Sequence, residues 1–205
     1  MATIDIIGDD RAMALIRASV IPDAAALAET LVAGGIHAIE FTYTTPDVES
    51  HITRARTTDA VIGAGSVLTT AQARSALDAG AQFLVTPGLS PAVAEVAAEA
   101  GVPMMMGAFT PSEVMQALGY GVWAVKVFPA QTAGPEHFAH LLGPLPSSHL
   151  IASGGIEAEN AGSFLDAGAY AVTAGSSVVP AEALAESDWQ DIRRRAAEFT
   201  AALAR

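Results

Sequence analysis

The only lysine of this 205-residue chain, Lys126, lies in an apolar stretch that is typical of a buried strand. Valine, tryptophan, alanine and phenylalanine surround it between Gly121 and Pro129. Burial disfavours the ammonium form of a lysine, and the neutral amine is a nucleophile. The chemistry that this predicts is Schiff-base formation with a carbonyl compound. The alternative is a lysine that extends from a strand end into water.

A glutamate and an arginine lie in two other apolar stretches. Glu40 belongs to Ile36–Thr42, where a carboxylate is costly unless it is paired or used. It is a candidate general acid and base, and the alternative is a structural ion pair with Arg17 or Lys126. Arg17 closes the stretch Ala12–Arg17, and its planar guanidinium suits a carboxylate or a phosphate. The alternative for Arg17 is a solvated strand end.

Glycine-rich segments follow three of the apolar stretches. In Gly63-Ala-Gly-Ser66 the glycines permit close approach of a ligand, and the Ser66 hydroxyl can donate a hydrogen bond. Ser153-Gly-Gly-Ile156 and Ala174-Gly-Ser-Ser177 are two further turns of this kind. Together they predict a phosphate site made of backbone N–H groups. The alternative is a pair of ordinary tight turns.

Helical segments that end in glycine alternate with short apolar strands along the chain. A glycine after the last helical turn is a C-cap, and strands with little polar alternation are buried on both faces. Helices are predicted between the strands, with a short extra helix over Ala2–Asp9 and a last helix to about Ala204. The eight predicted strands are Ala12–Arg17, Ile36–Thr42, Ala60–Ser66, Gln82–Thr86, Pro103–Gly107, Val122–Val127, His149–Ser153 and Tyr170–Ala174.

Eight βα units predict a single-domain (β/α)₈ TIM barrel over residues 1–205, with the short extra helix at its N-terminus. A doubly wound open sheet is the alternative, but the Gly-x-Gly-x-x-Gly turn common to that fold does not follow the first strand. The active site of a barrel lies at the C-terminal strand ends. The residues there are Arg17, Glu40, Thr42, Ser66, Thr86, Pro87, Gly107, Lys126, Phe128, Ser153, Gly154, Gly155, Gly175 and Ser176.

Composition and charge exclude several classes of function. The formal net charge of −12 argues against a nucleic-acid partner. No apolar run reaches the length of a membrane span, and the acidic N-terminus does not resemble a signal peptide, so we expect a cytoplasmic protein. The chain has no cysteine, and its acidic and histidine residues are not spaced as metal ligands. We therefore expect no metal and no membrane partner.

In order and spacing, six segments of the chain resemble the class I 2-keto-3-deoxy-6-phosphogluconate (KDPG) and 4-hydroxy-2-oxoglutarate (KHG) aldolases. The resemblance covers nearly the whole chain, and no single segment would suffice for it. The segments are Ala33–Thr42, Ile62–Leu68, Gly80–Gly88, Val125–Ala130, Ser153–Ile156, and Gly175-Ser176 with Val179-Pro180.

The resemblance implies a role for each matching residue. It makes Lys126 the Schiff-base lysine of a Lys-x-Phe-Pro motif and Glu40 the group that moves protons. It implies a homotrimer and no cofactor. The other implied positions are Ser66 at the pyruvate carboxylate; Thr42, Pro87 and Phe128 in the pyruvyl pocket; Ser153 near a substrate hydroxyl; and Gly154, Gly155, Gly175 and Ser176 at the phosphate.

One position departs from the family pattern. Many members carry Glu-x-Thr-x-Arg, whose arginine binds the substrate carboxylate, whereas here the segment Glu40-Phe-Thr-Tyr-Thr44 places a threonine there. Other members lack that arginine and carry one at the end of the first strand. Arg17 fits that role by position and chemistry.

These residues predict a class I aldolase that cleaves a 2-keto-4-hydroxy acid to pyruvate and an aldehyde. The substrate expected is KDPG, with glyceraldehyde 3-phosphate as the aldehyde. KHG and 2-keto-3-deoxy-6-phosphogalactonate are the alternative substrates. Two other classes stay open: a barrel enzyme that binds phosphate esters without a Schiff base, and a non-catalytic, assembling scaffold.

Overall fold

In the computed structural model, which describes residues 3–204, eight parallel strands close into a barrel. The strands are β1 (Ala12–Ile16), β2 (Ala38–Thr42), β3 (Val61–Gly65), β4 (Leu84–Val85), β5 (Met104–Ala108), β6 (Ala124–Val127), β7 (Leu150–Ala152) and β8 (Ala171–Ala174). They lie in sequence order around the barrel, and β1 pairs with β8 to close it. The predicted barrel is confirmed, and the open doubly wound sheet is excluded.

Helices connect the strands and cover the outside of the barrel. After a 3₁₀ turn at Thr3–Asp5 they are α1 (Ile6–Asp10), α2 (Ala24–Ala33), α3 (Val48–Ala55), α4 (Thr70–Asp78), α5 (Pro91–Ala100), α6 (Pro111–Gly119), α7 (Ala130–Ala133), α8 (Pro135–Leu142), α9 (Ala158–Asp166), α10 (Ala181–Ala185) and α11 (Trp189–Leu203). Among the described residues, no helix is long and apolar enough to cross a bilayer.

Seven of the strands are shorter than the sequence predicts, β5 keeps its predicted length but lies one residue later, and β4 differs most. It comprises Leu84–Val85 rather than the predicted Gln82–Thr86. The Gln82 side chain accepts a hydrogen bond from the N–H of Ile62 (3.0 Å), which replaces a strand carbonyl at that end. At the other end Pro87 has no N–H to continue the ladder. Each shortening removes only end residues, so the order of the predicted strands is unchanged.

Side chains that point into the barrel form two layers, because successive residues of a strand alternate between its faces. The lower layer is an apolar cluster: Met13, Ala38, Val61, Phe83, Met105, Ala124, Ile151 and Ala171. Two residues farther along each strand, toward the C-terminal end, come Leu15, Glu40, Gly63, Val85, Gly107, Lys126, Ser153 and Thr173. The upper layer therefore holds the polar side chains, and the lower layer is their apolar floor.

The N-terminal end of the barrel is closed by the extra helix that the sequence predicts. It begins as a 3₁₀ turn and continues as α1, and the Ala2 of the predicted range lies outside the described residues. Ile4 and Ile7 are buried in the lower cluster. Asp10, at the end of α1, accepts hydrogen bonds from the His37 backbone N–H (2.8 Å) and approaches the ring Nδ1 at 3.0 Å.

Candidate active site

Lys126 and Glu40 meet in the upper layer, although they are 86 residues apart in the sequence. The two strands that carry them, β6 and β2, lie on opposite sides of the barrel. The Lys126 Nζ is 3.5 Å from the Glu40 Oε1, and only 6% of the lysine side chain and none of the glutamate side chain are exposed. This distance is the long limit of a hydrogen bond, and a proton can pass between the two groups when a reactant intervenes.

The second carboxylate oxygen of Glu40 is the more informative one. Oε2 is buried and has no hydrogen-bond partner among the described residues. A buried, unpaired carboxylate oxygen is costly, and native proteins keep such groups where a water or a ligand satisfies them. A reactant or a water beside Glu40 would supply the missing partner of this oxygen.

Glycine on the neighbouring strand makes room for this carboxylate. A Cβ at Gly65 would overlap the Oε1, Cδ and Cγ atoms of Glu40. The residue after it, Ser66, has a left-handed backbone with φ of 53°. A non-glycine residue rarely adopts that conformation outside strained functional turns. Gly65 thus leaves room for the Glu40 carboxylate, and Ser66 follows it directly after β3.

A glycine on the neighbouring strand also makes room for Pro87 at the rim of the barrel. A Cβ at Gly107, on β5, would overlap the Pro87 carbonyl carbon and oxygen, so the glycine allows the β4 loop to lie against β5. Gly107 is also the residue paired with Lys126 in the β5–β6 register. The Pro87 loop therefore lies one strand away from the lysine, and the residue itself is exposed.

Phe128 connects the lysine to the glycine turn after β7. Its ring centroid lies 6.0 Å from the Lys126 Nζ, and the ring is 3.1 Å from where a Cβ of Gly154 would be. Two backbone hydrogen bonds hold the segments together: Ala130 N–H donates to the Ser153 carbonyl (2.7 Å), and Gln131 N–H donates to the Gly154 carbonyl (3.0 Å). The ring is 40% exposed and forms the wall between the lysine and that turn.

A cavity of about 320 Å³ opens beside Phe128 at the ends of β1, β7 and β8. Both predicted phosphate turns line it: Ser153, Gly154 and Gly155 after β7, and Gly175 and Ser176 after β8. Gly154 and Gly155 have φ of 94° and 74°, which side chains rarely permit, so the turn depends on glycine. The structure thus brings together the residues that the sequence assigns to the phosphate.

Arg17 lines this same cavity and is exposed. Among the described residues that line it, Arg17 is the only cationic side chain and Glu157 the only anionic one. Its guanidinium is therefore on the side of the glycine turns, whereas Ser66 and Pro87 lie across the rim. This position favours an anion at the far end of the substrate as the partner of Arg17.

Thr42 lies at the end of β2, where its hydroxyl is hydrogen-bonded to protein groups. Its side chain is fully buried, and the hydroxyl donates to the Ile16 carbonyl (3.1 Å) and lies 2.8 Å from the Thr44 hydroxyl. These bonds tie the end of β2 to β1. Its predicted contact with the pyruvyl group stays a prediction, and Thr44 continues the same hydroxyl cluster.

Tyr43, between these two threonines, holds the loop after β2. Its hydroxyl contacts the Glu49 carboxylate (2.9 Å) and the Gln72 carbonyl (2.7 Å). Burial, followed by the neighbouring Glu49, raises the pKa of the tyrosine well above its ordinary value. The phenol therefore remains a hydrogen-bond donor, which anchors the loop next to Glu40.

One polar residue of the upper layer is not among the site residues predicted from the sequence. Thr173, on β8, is 4% exposed, lines the cavity, and donates a hydrogen bond to the Ser153 hydroxyl at 3.0 Å. It sits inside the apolar strand Ala171–Ala174, two residues before Gly175. A count in steps of two from Ala171 would have identified it as inward-facing.

Comparisons with known proteins identify the family of the chain. The family described as KDPG and KHG aldolase matches residues 4–195. A 2-dehydro-3-deoxy-phosphogluconate aldolase of Treponema pallidum is 34% identical over 175 residues, which cover 84% of this chain and 83% of that protein.

Two solved structures are similar over almost their full length. KDPG aldolase of Legionella pneumophila, with pyruvate captured as a covalent carbinolamine intermediate, has a TM-score of 0.86 and 29% identity, covering 96% of this chain and 97% of that one. The Zymomonas mobilis KDPG aldolase with 3-phosphoglycerate has a TM-score of 0.88 and 28% identity, covering 97% and 95%. The chain therefore belongs to the KDPG and KHG aldolase family, and its activity is that of a pyruvate-dependent aldolase.

Proposed function

We propose that Lys126 and Glu40 catalyse the class I cleavage of KDPG to pyruvate and glyceraldehyde 3-phosphate. The observation that carries the proposal is the buried amine that faces a buried carboxylate with one unpaired oxygen. Of the two groups, the amine supplies the nucleophile, and the carboxylate supplies a base within reach of it. The Treponema pallidum relative and the Legionella pneumophila structure are both described as aldolases of KDPG, the proposed substrate.

The first half of the reaction attaches the substrate. Lys126 passes a proton to Glu40, and the resulting amine attacks the C2 ketone and forms a carbinolamine. Glu40 delivers a proton to the departing hydroxyl, water leaves, and a protonated imine remains. The imine nitrogen is an electron sink, and the apolar floor beneath the pair excludes other water.

The second half breaks the carbon–carbon bond. Glu40, directly or through one water, removes the proton of the C4 hydroxyl. The C3–C4 electron pair moves into the imine, which becomes an enamine, and the C4 carbon leaves as the aldehyde. The enamine then takes a proton at C3, and water hydrolyses the resulting imine to release pyruvate and the free lysine.

The rest of the rim positions the two ends of the substrate. We propose that Ser66, with Pro87 and Phe128, holds the pyruvyl end. Phe128 lies 6.0 Å from the Lys126 Nζ, Pro87 lies against the partner of Lys126 on β5, and Ser66 follows the glycine that adjoins Glu40. Ser153 contacts a substrate hydroxyl, and Gly154, Gly155, Gly175 and Ser176 bind the phosphate. Arg17, the cation of that cavity, binds the distal anion there. A role at the pyruvyl carboxylate is the alternative for Arg17.

Borohydride trapping with pyruvate tests the Schiff base directly. Because Lys126 is the only lysine of the chain, a reduced pyruvyl adduct on a side chain has one possible position. Peptide mapping separates it from the N-terminal amine. We expect the adduct on the wild-type peptide and none on Lys126→Ala, together with loss of cleavage activity. Robust turnover by Lys126→Ala would overturn the mechanism.

A coupled pyruvate-release assay separates the candidate substrates. KDPG is expected to have the highest kcat/KM. The 6-phosphogalactonate analogue has the same phosphate and tests the configuration at C4, and KHG lacks the phosphate. If the glycine turns bind phosphate, KHG loses the contribution of that site. Equal kcat/KM for KHG would contradict the phosphate site while leaving the aldolase reaction intact.

We also propose that the enzyme assembles as a homotrimer in the cytoplasm. The resemblance to the family supports the assembly, and the lack of a membrane-spanning helix among the described residues is compatible with the location. Analytical ultracentrifugation at micromolar concentration gives the mass of the assembly. A monomer would overturn the trimer without affecting the chemistry.

A further inference from the structure

We infer that Thr173 is a positioning residue for substrate recognition, which fixes the Ser153 hydroxyl as a donor to the C4 oxygen of the substrate. The inference rests on the proposed function, because it assigns a task to the same site. It adds a residue outside the motifs, and the geometry of the upper layer carries it.

The two hydroxyls form an isolated pair inside the barrel. The Thr173 Oγ1 and the Ser153 Oγ are 3.0 Å apart, and the residues are 4% and 1% exposed. Both line the cavity of about 320 Å³. If the pair served only packing, two apolar side chains of the same shape would serve as well, since replacing both partners of a buried hydrogen bond is nearly neutral.

The two hydroxyls lie between Lys126, the proposed nucleophile, and the glycine turns proposed to bind the phosphate. Ser153 N–H donates to the carbonyl of Val127, the residue after Lys126, at 3.1 Å, so Ser153 is held beside the lysine strand. Gly154 follows Ser153, and Gly175 follows Thr173 by two residues, so both hydroxyls also adjoin the phosphate turns. A bound substrate that joins the two ends has to pass this pair.

The direction of the hydrogen bond determines what Ser153 can do. Thr173 donates to Ser153, so the Ser153 oxygen accepts and its own proton is left for another acceptor. The backbone of Ser153 is engaged on both sides, by the Val127 carbonyl and by the Ala130 N–H. With the backbone fixed and the threonine on one side, the serine proton can point into the cavity that Ser153 lines.

The acceptor that fits is the oxygen at C4 of the substrate. In the cleavage it is a hydroxyl that becomes the carbonyl oxygen of the leaving aldehyde, and a donor to it acts without any proton transfer of its own. A donor held from one side favours one configuration at C4. The Thr173–Ser153 pair would therefore discriminate between KDPG and its C4 epimer, 2-keto-3-deoxy-6-phosphogalactonate.

The test compares Thr173→Val, which removes only the hydroxyl, with Thr173→Ser, which retains it, and with Ser153→Ala and the double variant. The readouts are kcat and KM for both epimers, with a melting curve for each protein. We expect Thr173→Val to change the ratio of the two kcat/KM values by roughly 3- to 10-fold, through kcat more than KM. Thr173→Ser should keep the wild-type ratio, and Thr173→Val should add nothing in the Ser153→Ala background.

An unchanged epimer ratio in Thr173→Val, or an equal change with and without the Ser153 hydroxyl, would overturn the inference. If Thr173→Val melts too low to assay, Thr173→Ala replaces it. Borohydride trapping with pyruvate, which has no C4, separates the two levels. An adduct in every variant together with an unchanged ratio refutes the role of Thr173 alone. No adduct in the wild type refutes the proposed function and this inference with it.

Discussion

At the scale of the residue, the proposed chemistry depends on two ionisable groups that a barrel interior would otherwise exclude. Lys126 and Glu40 are both buried, and they are 3.5 Å apart. Removing one partner of a buried pair leaves an uncompensated charge, which costs several kcal/mol. The apolar neighbours of each residue in the sequence indicate that its side chain is buried at a cost, and the sequence alone shows this much. Their approach across the barrel, and the unpaired Oε2, depend on atoms far apart in the chain.

Glu40→Gln keeps the shape of the side chain and removes its ability to accept a proton. We expect kcat for KDPG cleavage to fall by about 10²–10⁴, the usual contribution of a positioned acid or base, with a small change in KM. Steady-state assays and single-turnover adduct formation measure it. Glu95→Gln, at an exposed position on α5, is the control. A wild-type kcat in Glu40→Gln would show that water, and not Glu40, transfers the protons.

At the scale of the element, glycines on neighbouring strands decide where the reactive side chains fit. β3 reads Val-Ile-Gly-Ala-Gly, and its glycines accept Phe83 on one level and Glu40 on another. The sequence predicts that these glycines allow close approach, and it assigns that approach to a ligand. The structure shows that protein side chains occupy the space beside them. The register between strands decides this, and register is a long-range property.

Gly65→Ala would displace the Glu40 carboxylate from beside Lys126. We expect kcat to fall by more than about tenfold, and the unfolding free energy to fall by about 1–3 kcal/mol, the usual cost of overpacking. Gly119→Ala, where a Cβ meets nothing within 4 Å, is the matched control and should retain both activity and stability. Assay and chemical denaturation are carried out on the same preparations. Full activity in Gly65→Ala would show that Glu40 has room to move without consequence.

At the scale of the whole molecule, the two ends of the barrel have separate tasks. The N-terminal end is closed by Ile4 and Ile7 over an apolar floor, and the C-terminal end carries the polar layer and the cavity. Stability and chemistry are thereby placed at opposite ends, as in other barrels of this class. The outer helices add partly buried titratable groups that have no place in the proposed reaction, and His51 on α3 is one of them.

His51 should make the stability of the barrel depend on pH. Burial first, and then the nearby Arg54, lower its pKa, against the opposite effects of Asp47 and the Pro46 carbonyl. In the unfolded chain it titrates near its ordinary value of about 6.5. Below that pH the unfolded state binds a proton that the folded state binds less readily, so stability falls as the pH decreases toward the folded pKa.

Denaturant unfolding of the wild type and of His51→Asn at several pH values from neutral to mildly acidic measures this dependence. The wild type should lose more stability than the variant on acidification, because the variant has no imidazole to protonate on unfolding. Parallel curves for the two proteins would contradict the assignment. The quantity to compare is the change in unfolding free energy with pH in each protein. The difference between the two proteins removes the contribution of other histidines such as His37, which contacts Asp10.

The sequence by itself determined the number and order of the βα units and singled out Lys126 as the candidate nucleophile. Both are local properties: glycine caps and apolar runs are read within about ten residues, and a single lysine in an apolar strand is conspicuous wherever that strand lies. Only the tertiary structure decided which side chains meet. Closure of β1 onto β8 turns alternation along each strand into layers across the barrel. That step brings Glu40 to Lys126, places Arg17 beside the glycine turns, and joins Thr173 to Ser153.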